Sequence, residues 1–389
     1  MRLAVLKERR PGEARVAATP ETVKKLSALG LTIAVEAGAG AGSSIPDADY
    51  AAAGAEIAPD AASALAGAGI VFKVQAPLGT GEGELDELAL IPRGALLIGT
   101  LGAYGNEERT RTYASLGIDA CSMELLPRIT RAQSMDVLSS QANLAGYRAV
   151  LEGANAYGRG FPMMMTAAGT VPPAGVFVLG AGVAGLQAIA TARRLGAKVS
   201  ATDVRPAAKE EIKSLGAAFI GVESEETAAA QTSGGYAKEM SEDFKRRQAE
   251  LLAETVKKQD LIICTALTMG RAAPKLLTAE HVASMKPGSV IVDIAADAGG
   301  NCALTVPGEK TVTANGVTIL GYRNWPGRIP VASSALYARN LMTFLTAFWD
   351  KDAKRPNLKP EDEIIQGVAL TRGGAVVHPA FAPKPAAAA

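Results

Sequence analysis

Cysteine and histidine are scarce in this sequence, which has three cysteines and two histidines in 389 residues. Cys121, Cys264 and Cys302 lie far apart, and none belongs to a C-x-x-C pair. This spacing argues against a disulfide framework and against a zinc site made of cysteines. We therefore expect a protein of the reducing cytoplasm that binds no metal.

Charge of one sign and long hydrophobic runs are also lacking. The 40 basic and 39 acidic residues nearly cancel, so no overall field favours nucleic acid or an anionic membrane. The most apolar stretch, residues 161–180, contains Pro162, Pro172 and Pro173 and cannot form one spanning helix. The segment MRLAVLKERR becomes charged too early for a signal peptide. We expect no nucleic-acid partner and no direct membrane span.

Short β-favouring segments alternate with helical ones along most of the chain. A first series of strands is predicted at residues 2–6, 31–36, 70–75 and 95–101, and a long helix from about residue 138. A second series is predicted at residues 175–180, 197–203, 217–222, 260–266, 289–295 and 317–322. Such alternation is typical of parallel sheets covered by helices on both faces. The sequence therefore predicts an α/β protein with two Rossmann-like, doubly wound parallel-sheet domains.

A glycine-rich motif, GAGVAG at residues 180–185, follows a predicted strand and begins a predicted helix. Gly180 permits a tight turn, Gly182 lets a pyrophosphate approach the backbone, and Gly185 lets helix and strand pack closely. The helix N-terminus supplies N–H donors and a partial positive charge for the phosphates. A glycine-rich turn kept only for packing is the alternative. The context of strand, turn and helix favours a dinucleotide site that includes Val183 and Ala184.

Asp203 stands at the end of the next predicted strand, eighteen positions after Gly185. A carboxylate there accepts both ribose hydroxyls of an adenosine and repels a 2′-phosphate, so NAD(H) is favoured over NADP(H). Arg205 lies close enough to complicate that preference. Further candidate cofactor-binding residues are Val204, Gly235, Ala266 and Leu267.

Two features nearer the N-terminus have simpler interpretations. The glycines of GAGAG, residues 38–42, are followed by Ser43, Ser44 and Pro46, which interrupt any immediate helix, so we predict a loop there. Lys73 lies inside the apolar segment IVFKVQ. A lysine in a strand is typical of a sheet edge with a solvated ammonium group.

Several longer motifs carry a family resemblance. They include KERRPGEARVAATPETVKKL, VFKVQAP, RITRAQSMDVLSSQANLAGYRAV, MMMTAAGTVPPA, TSGGYAKEM, MKPGSVIVDIA and AGGN. With these motifs and the glycine-rich turn, the chain resembles the NAD(H)-binding subunits of proton-translocating nicotinamide nucleotide transhydrogenases up to about residue 380. The resemblance implies a nucleotide cleft between two domains. Residues 1–137 and 327–389 are expected to form the first domain, and residues 138–326 the second, NAD(H)-binding domain.

The resemblance also implies partners and a location. We expect a homodimer that docks an NADP(H)-binding domain, so that NADP(H) is a second nucleotide held by the partner. Membrane-embedded transhydrogenase subunits would then move the proton, and this chain would be peripheral on the cytoplasmic face of the inner membrane. The segment around Arg372–Gly374, predicted as a hairpin, is a candidate for part of the dimer contact, and the tail FAPKPAAAA is predicted to be disordered.

By the same resemblance, Arg128, Gln133, Asp136 and Ser139 form a loop that lines the nicotinamide end of the site. Gln133 is expected to reach the second nucleotide, and Arg128 to pair with Asp136. Hydride transfer between two nicotinamides needs rings in near contact and no acid or base, so these groups would position rather than protonate. A charged, solvated loop with a structural ion pair is the alternative.

The segment QTSGGYAKEMSEDF, residues 231–244, is predicted to be a lid over the bound nucleotide. Gly234 and Gly235 give its backbone freedom. The resemblance implies that Tyr236 closes on NAD(H) and that Met240 contacts the site. A surface loop without function is the alternative.

Alanine dehydrogenase shares the same fold family and is the rival function. Arg15 and Lys73 match the residues that hold the substrate in that enzyme, and Asp297 matches an acidic position beside its nicotinamide. The catalytic histidine of that enzyme, however, aligns with Thr100 in GTLGA, and neither histidine of this chain is near that position. Because oxidation of an amino acid also releases a proton, we favour transhydrogenation. A non-catalytic NAD sensor is the third alternative.

Overall fold

The computed structural model describes residues 1–222, 241–268 and 270–382. The chain divides into two compact units. Unit 1 consists of Met1–Gln141 and Gly327–Ala389, and unit 2 consists of Ala142–Pro326. Each unit has a parallel-dominated sheet of its own, which confirms the predicted α/β class.

The described residues of unit 1 form an eight-stranded sheet in the order β19-β18-β6-β5-β4-β1-β2-β3. Strands are numbered along the whole chain, and those of unit 1 are β1 Arg2–Val5, β2 Thr32–Glu36, β3 Glu56–Ala58, β4 Ala68–Gln75, β5 Leu96–Thr100, β6 Asp119–Ser122, β16 Trp349–Asp350, β17 Arg355–Pro356, β18 Ala369–Arg372 and β19 Ala375–Val376. The pairs among β1 to β6 are parallel. The hairpin β18–β19 is added antiparallel to β6, which confirms the hairpin predicted around Arg372–Gly374.

Both faces of this sheet are buried. Along β1, Leu3 and Val5 belong to one apolar cluster, whereas Ala4 and Leu6 belong to another on the opposite face, as expected for a doubly covered sheet. The first helix begins with a Thr19 capping box. The α-helices of unit 1 are Pro20–Ser27, Asp47–Ala52, Ala61–Leu65, Glu87–Leu90, Glu107–Leu116, Pro330–Ala347 and Glu363–Val368. Val137–Ala156 crosses the boundary between the units.

The described residues of unit 2 form a seven-stranded sheet in the order β11-β10-β9-β12-β13-β15-β14. Its strands are β9 Gly175–Leu179, β10 Lys198–Thr202, β11 Ala218–Phe219, β12 Leu261–Cys264, β13 Val290–Asp293, β14 Lys310–Val312 and β15 Thr318–Leu320. Its α-helices are Val183–Arg194, Ala208–Ser214, Glu242–Val256 and Ala279–Ala283. All pairs are parallel except β14–β15. The chain runs outward from β9 to β11 and then returns to β12 on the other side of β9, so the switch point of this sheet lies between β9 and β12.

The apolar stretch at residues 161–180 is divided between two structures. Its first half forms an exposed hairpin, β7 Met164–Thr166 and β8 Gly169–Val171, and its second half is the buried strand β9. Across the ranges that the structure describes, no helix combines the length and the apolar character needed to cross a membrane.

The two features nearer the N-terminus can now be compared with their predictions. The segment GAGAG forms turns and a short 3-10 helix, Ala41–Ser43, as predicted for a loop. The prediction for Lys73 is wrong, because β4 lies between β1 and β5 in the middle of the sheet and the lysine is 1% exposed. Its ammonium group instead has carboxylate partners inside the protein.

Candidate functional site

The glycine-rich turn lies between β9 and the helix Val183–Arg194, at the switch point of the unit 2 sheet. Gly180 has φ +97°, a conformation that favours glycine. A Cβ on Gly185 would lie 1.9 Å from the Gly180 carbonyl oxygen, so helix and turn pack too closely for any side chain. A Cβ on Gly182, in contrast, would have no neighbour within 4 Å. The protein leaves the space above Gly182 open, as a phosphate-binding turn requires.

Asp203 follows β10 and is bound to that turn. Its carboxylate accepts hydrogen bonds from Ala181 N at 2.7 Å and from Arg205 N at 2.8 Å. The guanidinium of Arg205 donates to both carboxylate oxygens, through Nε at 3.0 Å and Nη2 at 3.2 Å, and Nη2 also donates to the Ala181 carbonyl. The hydrogen bond with Asp203 raises the pKa of Arg205. Asp203 therefore stands where a ribose is expected, but Arg205 occupies its acceptors, and Val204 beside it is 74% exposed.

The segment after β12 lies against the same turn. Thr265 N donates to the Leu179 carbonyl at 2.8 Å, and Thr265 Oγ1 donates to the Gly180 carbonyl at 2.9 Å. Ala266 comes next, with its nitrogen 3.2 Å from the place of a Cβ on Gly180. Leu267 is 53% exposed. The structure thus brings the candidate residues Ala266 and Leu267 to the side of the switch point opposite Asp203.

The loop at residues 128–139 lies in unit 1. A 3-10 helix, Thr130–Met135, forms most of it, and the buried side chains of Ala132 and Met135 anchor that helix. Arg131 forms a two-fold ion pair with Asp362, at 2.9 and 2.8 Å. Gln133 is exposed. The loop is thus held from its apolar side, while polar groups remain on its outer side.

Asp136 has a different partner from the one that was predicted. Its carboxylate accepts from Ser139 N at 2.9 Å and from Ser139 Oγ at 2.6 Å, which caps the helix Val137–Ala156. Between the described residues Arg128 and Asp136 there is no ion pair or hydrogen bond, so their expected pairing is wrong. Arg128 is exposed. The aspartate was taken for a partner of the arginine, although D-x-x-S at the start of a helix is also a capping pattern.

Arg15 and Lys73 lie in a buried ionic cluster of unit 1. Arg15 Nη2 lies 2.7 Å from Glu13 Oε2, and its Nη1 donates to Gln141 Oε1 at 2.8 Å. Lys73 Nζ lies 3.2 Å from Glu8 and 3.1 Å from Glu87. Burial raises the pKa of Glu8, whereas the hydrogen bond and charge of Arg15 outweigh burial and lower the pKa of Glu13. The structure therefore compensates both cations with carboxylates of the chain itself.

Comparison with known proteins identifies the family. The family model for the N-terminal domain of alanine dehydrogenase/PNT matches residues 4–145, and the one for the C-terminal domain matches residues 149–379. An NAD(P) transhydrogenase subunit alpha protein of Rhodospirillum rubrum is 56% identical over 381 residues, which cover 98% of this chain and 99% of that protein. The chain belongs to the alanine dehydrogenase/PNT family.

Solved structures separate the two branches of the alanine dehydrogenase/PNT family. The transhydrogenase from Sinorhizobium meliloti has a TM-score of 0.87 and 51% identity, covering 97% of this chain and 100% of its own. An L-alanine dehydrogenase has a TM-score of 0.80 and 27% identity, covering 98% of each chain. The resemblance predicted from the motifs is confirmed, with alanine dehydrogenase as the more distant relative.

Thr100 occupies the position at which the two branches are expected to differ. Its N–H donates to the hydroxyl of Tyr337 at 2.9 Å, and the two hydroxyls are 3.1 Å apart. The Tyr337 hydroxyl also lies 3.0 Å from the Lys73 carbonyl and 3.1 Å from the Val74 carbonyl. Thr100 is thus part of a buried hydrogen-bond network and has no group that titrates near neutral pH.

Asp297 is in a more open position in unit 2. Its carboxylate lies 3.6 Å from Arg323 Nε and accepts a hydrogen bond from Asn324 N at 3.2 Å. Asn324 has φ +48°, which is left-handed. In the described part of the chain, no group of three or more histidine, cysteine or acidic residues is arranged to hold a metal ion.

The candidate residues fall into three groups. Unit 2 brings together the glycine-rich turn, Asp203 with Arg205, and the segment after β12. Unit 1 carries the loop at residues 128–139. Gly235 and Tyr236, with Met240, lie outside the described residues. Sequence reasoning missed Thr265, the bond between Asp136 and Ser139, and a buried asparagine in AGGN that is described below.

Proposed function

We propose that this chain is the NAD(H)-binding subunit of a proton-translocating NAD(P) transhydrogenase. The observation that carries the proposal is the site in unit 2, where Gly180, Gly182 and Asp203 meet at the switch point of the sheet. The 56% identity to a transhydrogenase alpha subunit across almost the whole of both chains supports it. NAD(H), when bound, supplies the hydride chemistry.

In this proposal the unit 2 residues bind and orient the nucleotide. The open space at Gly182 and the N-terminus of the helix Val183–Arg194, which has no side-chain cap, would hold the pyrophosphate. Asp203 would accept the ribose hydroxyls after Arg205 moves aside, and its charge would disfavour a 2′-phosphate. Val204, Ala266 and Leu267 would complete the contacts.

The unit 1 loop would position the rings. Arg128 and Gln133 are exposed polar groups on a segment whose apolar side is buried, an arrangement suitable for contacts with a carboxamide and with a second nucleotide. Asp136 and Ser139 would keep the start of the long helix rigid and so hold the loop in place. Gly235 and Tyr236 remain candidates for a lid by resemblance.

The partners follow from the same proposal. NADP(H) would be held by a separate NADP(H)-binding domain, and membrane-embedded transhydrogenase subunits would couple hydride transfer to proton translocation. The chain would act as a homodimer, peripheral on the cytoplasmic face of the inner membrane. The name subunit alpha of the Rhodospirillum rubrum relative supports an assembly with other subunits.

A reconstitution experiment tests the function. The purified chain is mixed with an NADP(H)-binding partner domain, and hydride transfer from NADH is followed by stopped-flow absorbance. Rapid transfer is expected. Binding of NADH without transfer would instead indicate a sensor.

A second assay tests the rival activity with the chain alone. Alanine with NAD⁺, and pyruvate with ammonium and NADH, are supplied as substrates. No turnover is expected, because Thr100 cannot supply the proton transfer that amino-acid oxidation requires. Turnover would identify an alanine dehydrogenase and overturn the proposal.

A further inference from the structure

Asn301 is a fully buried polar side chain in the segment AGGN after β13. Its Oδ1 accepts a hydrogen bond from Ala266 N at 3.0 Å, and its Nδ2 donates to the Ala266 carbonyl at 2.8 Å and to the Pro274 carbonyl at 2.9 Å. One amide side chain therefore satisfies both backbone groups of Ala266. Because buried backbone groups need such partners, Asn301 determines the path of the chain after β12.

Asn301 is itself held in place by Asp293, a buried residue at the end of β13. Asp293 Oδ1 accepts from Ala295 N at 3.1 Å, and Oδ2 accepts from Cys302 N at 3.0 Å and from Thr305 Oγ1 at 2.7 Å. Both ends of the loop that carries Asn301 are thus fixed to one carboxylate. Such a fully satisfied network is rigid.

The clamped segment adjoins the glycine-rich turn. The hydroxyl of Thr265 reaches the Gly180 carbonyl, so Asn301, Ala266, Thr265 and Gly180 form a continuous series of contacts. Asp203 lies on the β10 side of β9, which would hold the adenosine half of a dinucleotide, whereas β12 lies on the other side of β9. The segment after β12 therefore faces the half of the ligand that carries the nicotinamide.

We propose that Asn301 is a positioning residue for the nicotinamide half of NAD(H). It acts through Ala266, whose backbone it fixes, and so determines where Leu267 stands beside the bound nucleotide. This inference rests on the proposed NAD(H) site. It predicts a selective defect, because loss of the clamp displaces one side of the switch point and leaves the Asp203 side intact.

The test compares two probes on the full-length chain. In Asn301→Asp, a carboxylate oxygen replaces the amide donor and faces the Ala266 and Pro274 carbonyls. Fluorescence titration is expected to show a dissociation constant for NADH raised about tenfold, as for the loss of a buried hydrogen-bonded group. The dissociation constant for ADP, measured by calorimetry, should stay within about twofold because the clamp does not contact the adenosine side.

Asn315→Asp is the matched control. Asn315 performs the same kind of clamp, donating to the Val282 carbonyl at 2.9 Å, but it precedes β15 at the opposite edge of the unit 2 sheet. Both variants should lower the midpoint of thermal unfolding. Only the Asn301 variant should weaken NADH.

Thr305→Val provides a milder perturbation if Asn301→Asp does not fold. It removes the hydroxyl bond to Asp293 and should weaken NADH about two- to threefold, without an effect on ADP. The proposal is overturned if NADH binding is unchanged in these variants or if ADP is weakened equally. A wild-type chain that binds no NADH would instead refute the proposed function.

Discussion

Replacing Asp203 by asparagine should change the nucleotide preference of the chain, without any added basic residue. Asp203 accepts four hydrogen bonds, three of them from Arg205. An asparagine keeps one good acceptor, which suffices for Ala181 N, and turns its NH₂ toward the guanidinium. Two groups of donors then face each other, so Arg205 is released toward the place that a 2′-phosphate would take.

The magnitude follows from the bonds that change. NADH loses a hydrogen bond to a charged acceptor, worth about 1.5–3 kcal/mol, so its dissociation constant should rise about 10- to 150-fold. NADPH loses a repulsive carboxylate and gains a partly exposed Arg205 contact of about 1 kcal/mol, so its dissociation constant should fall about fivefold. Because that contact is exposed to solvent, the gain should diminish at high salt.

Titration of the purified Asp203→Asn variant with NADH and with NADPH, at low and high salt, checks these values. The control is the double variant with Arg205→Ala, which should lose the gain for NADPH but retain the weak binding of NADH. The reasoning is refuted if NADPH binding does not improve in the single variant, or if the improvement persists without Arg205.

Three other substitutions give separate tests. Gln133→Asn should slow hydride transfer to the partner-bound nucleotide at least about tenfold while the dissociation constant for NADH stays within about twofold; equal losses in stopped-flow rate and in binding would contradict a positioning role. Tyr337→Phe leaves Thr100 N and a carbonyl without a buried partner and should lower the free energy of unfolding by about 2–4 kcal/mol in urea titrations, whereas a change below about 0.5 kcal/mol would show that water replaces the hydroxyl. Glu13→Gln removes a carboxylate whose folded pKa is lowered, so its stabilising effect is present above the unfolded pKa and is lost as the pH falls through the folded one. The variant should therefore be about 3–5 kcal/mol less stable at pH 7 and approach the wild type in acid, and a difference that does not depend on pH would show that the charge of Glu13 toward Arg15 is not the cause.

Much of the fold could be predicted because its strands are apolar and regularly spaced. The strands β3, β6 and β14 were missed, since each has four residues or fewer and little periodic pattern. The sequence also left open whether β4 is an edge or a central strand. Strand order depends on which helices pack on which face, so the position of Lys73 in the sheet was not readable from its neighbours in the chain.

The glycine-rich turn and Asp203 were predictable for a different reason. Their function depends on local backbone geometry, and a tight turn, a close approach to phosphate and a strand-end carboxylate each require particular residue types at fixed spacing. The occupation of Asp203 by Arg205 and Ala181 N was not predictable to the same extent. It depends on the angle at which β10 ends beside the turn.

The sequence by itself determined the class of the fold, the place of the dinucleotide motif and the resemblance to the transhydrogenase subunits, because these depend on periodicity and on motifs of adjacent residues. Only the tertiary structure decided which distant polar groups meet. Asn301 lies 35 positions from Ala266, and Tyr337 lies 237 positions from Thr100. Their pairing is enforced by burial, since each backbone group that is removed from water needs a partner wherever the fold places one.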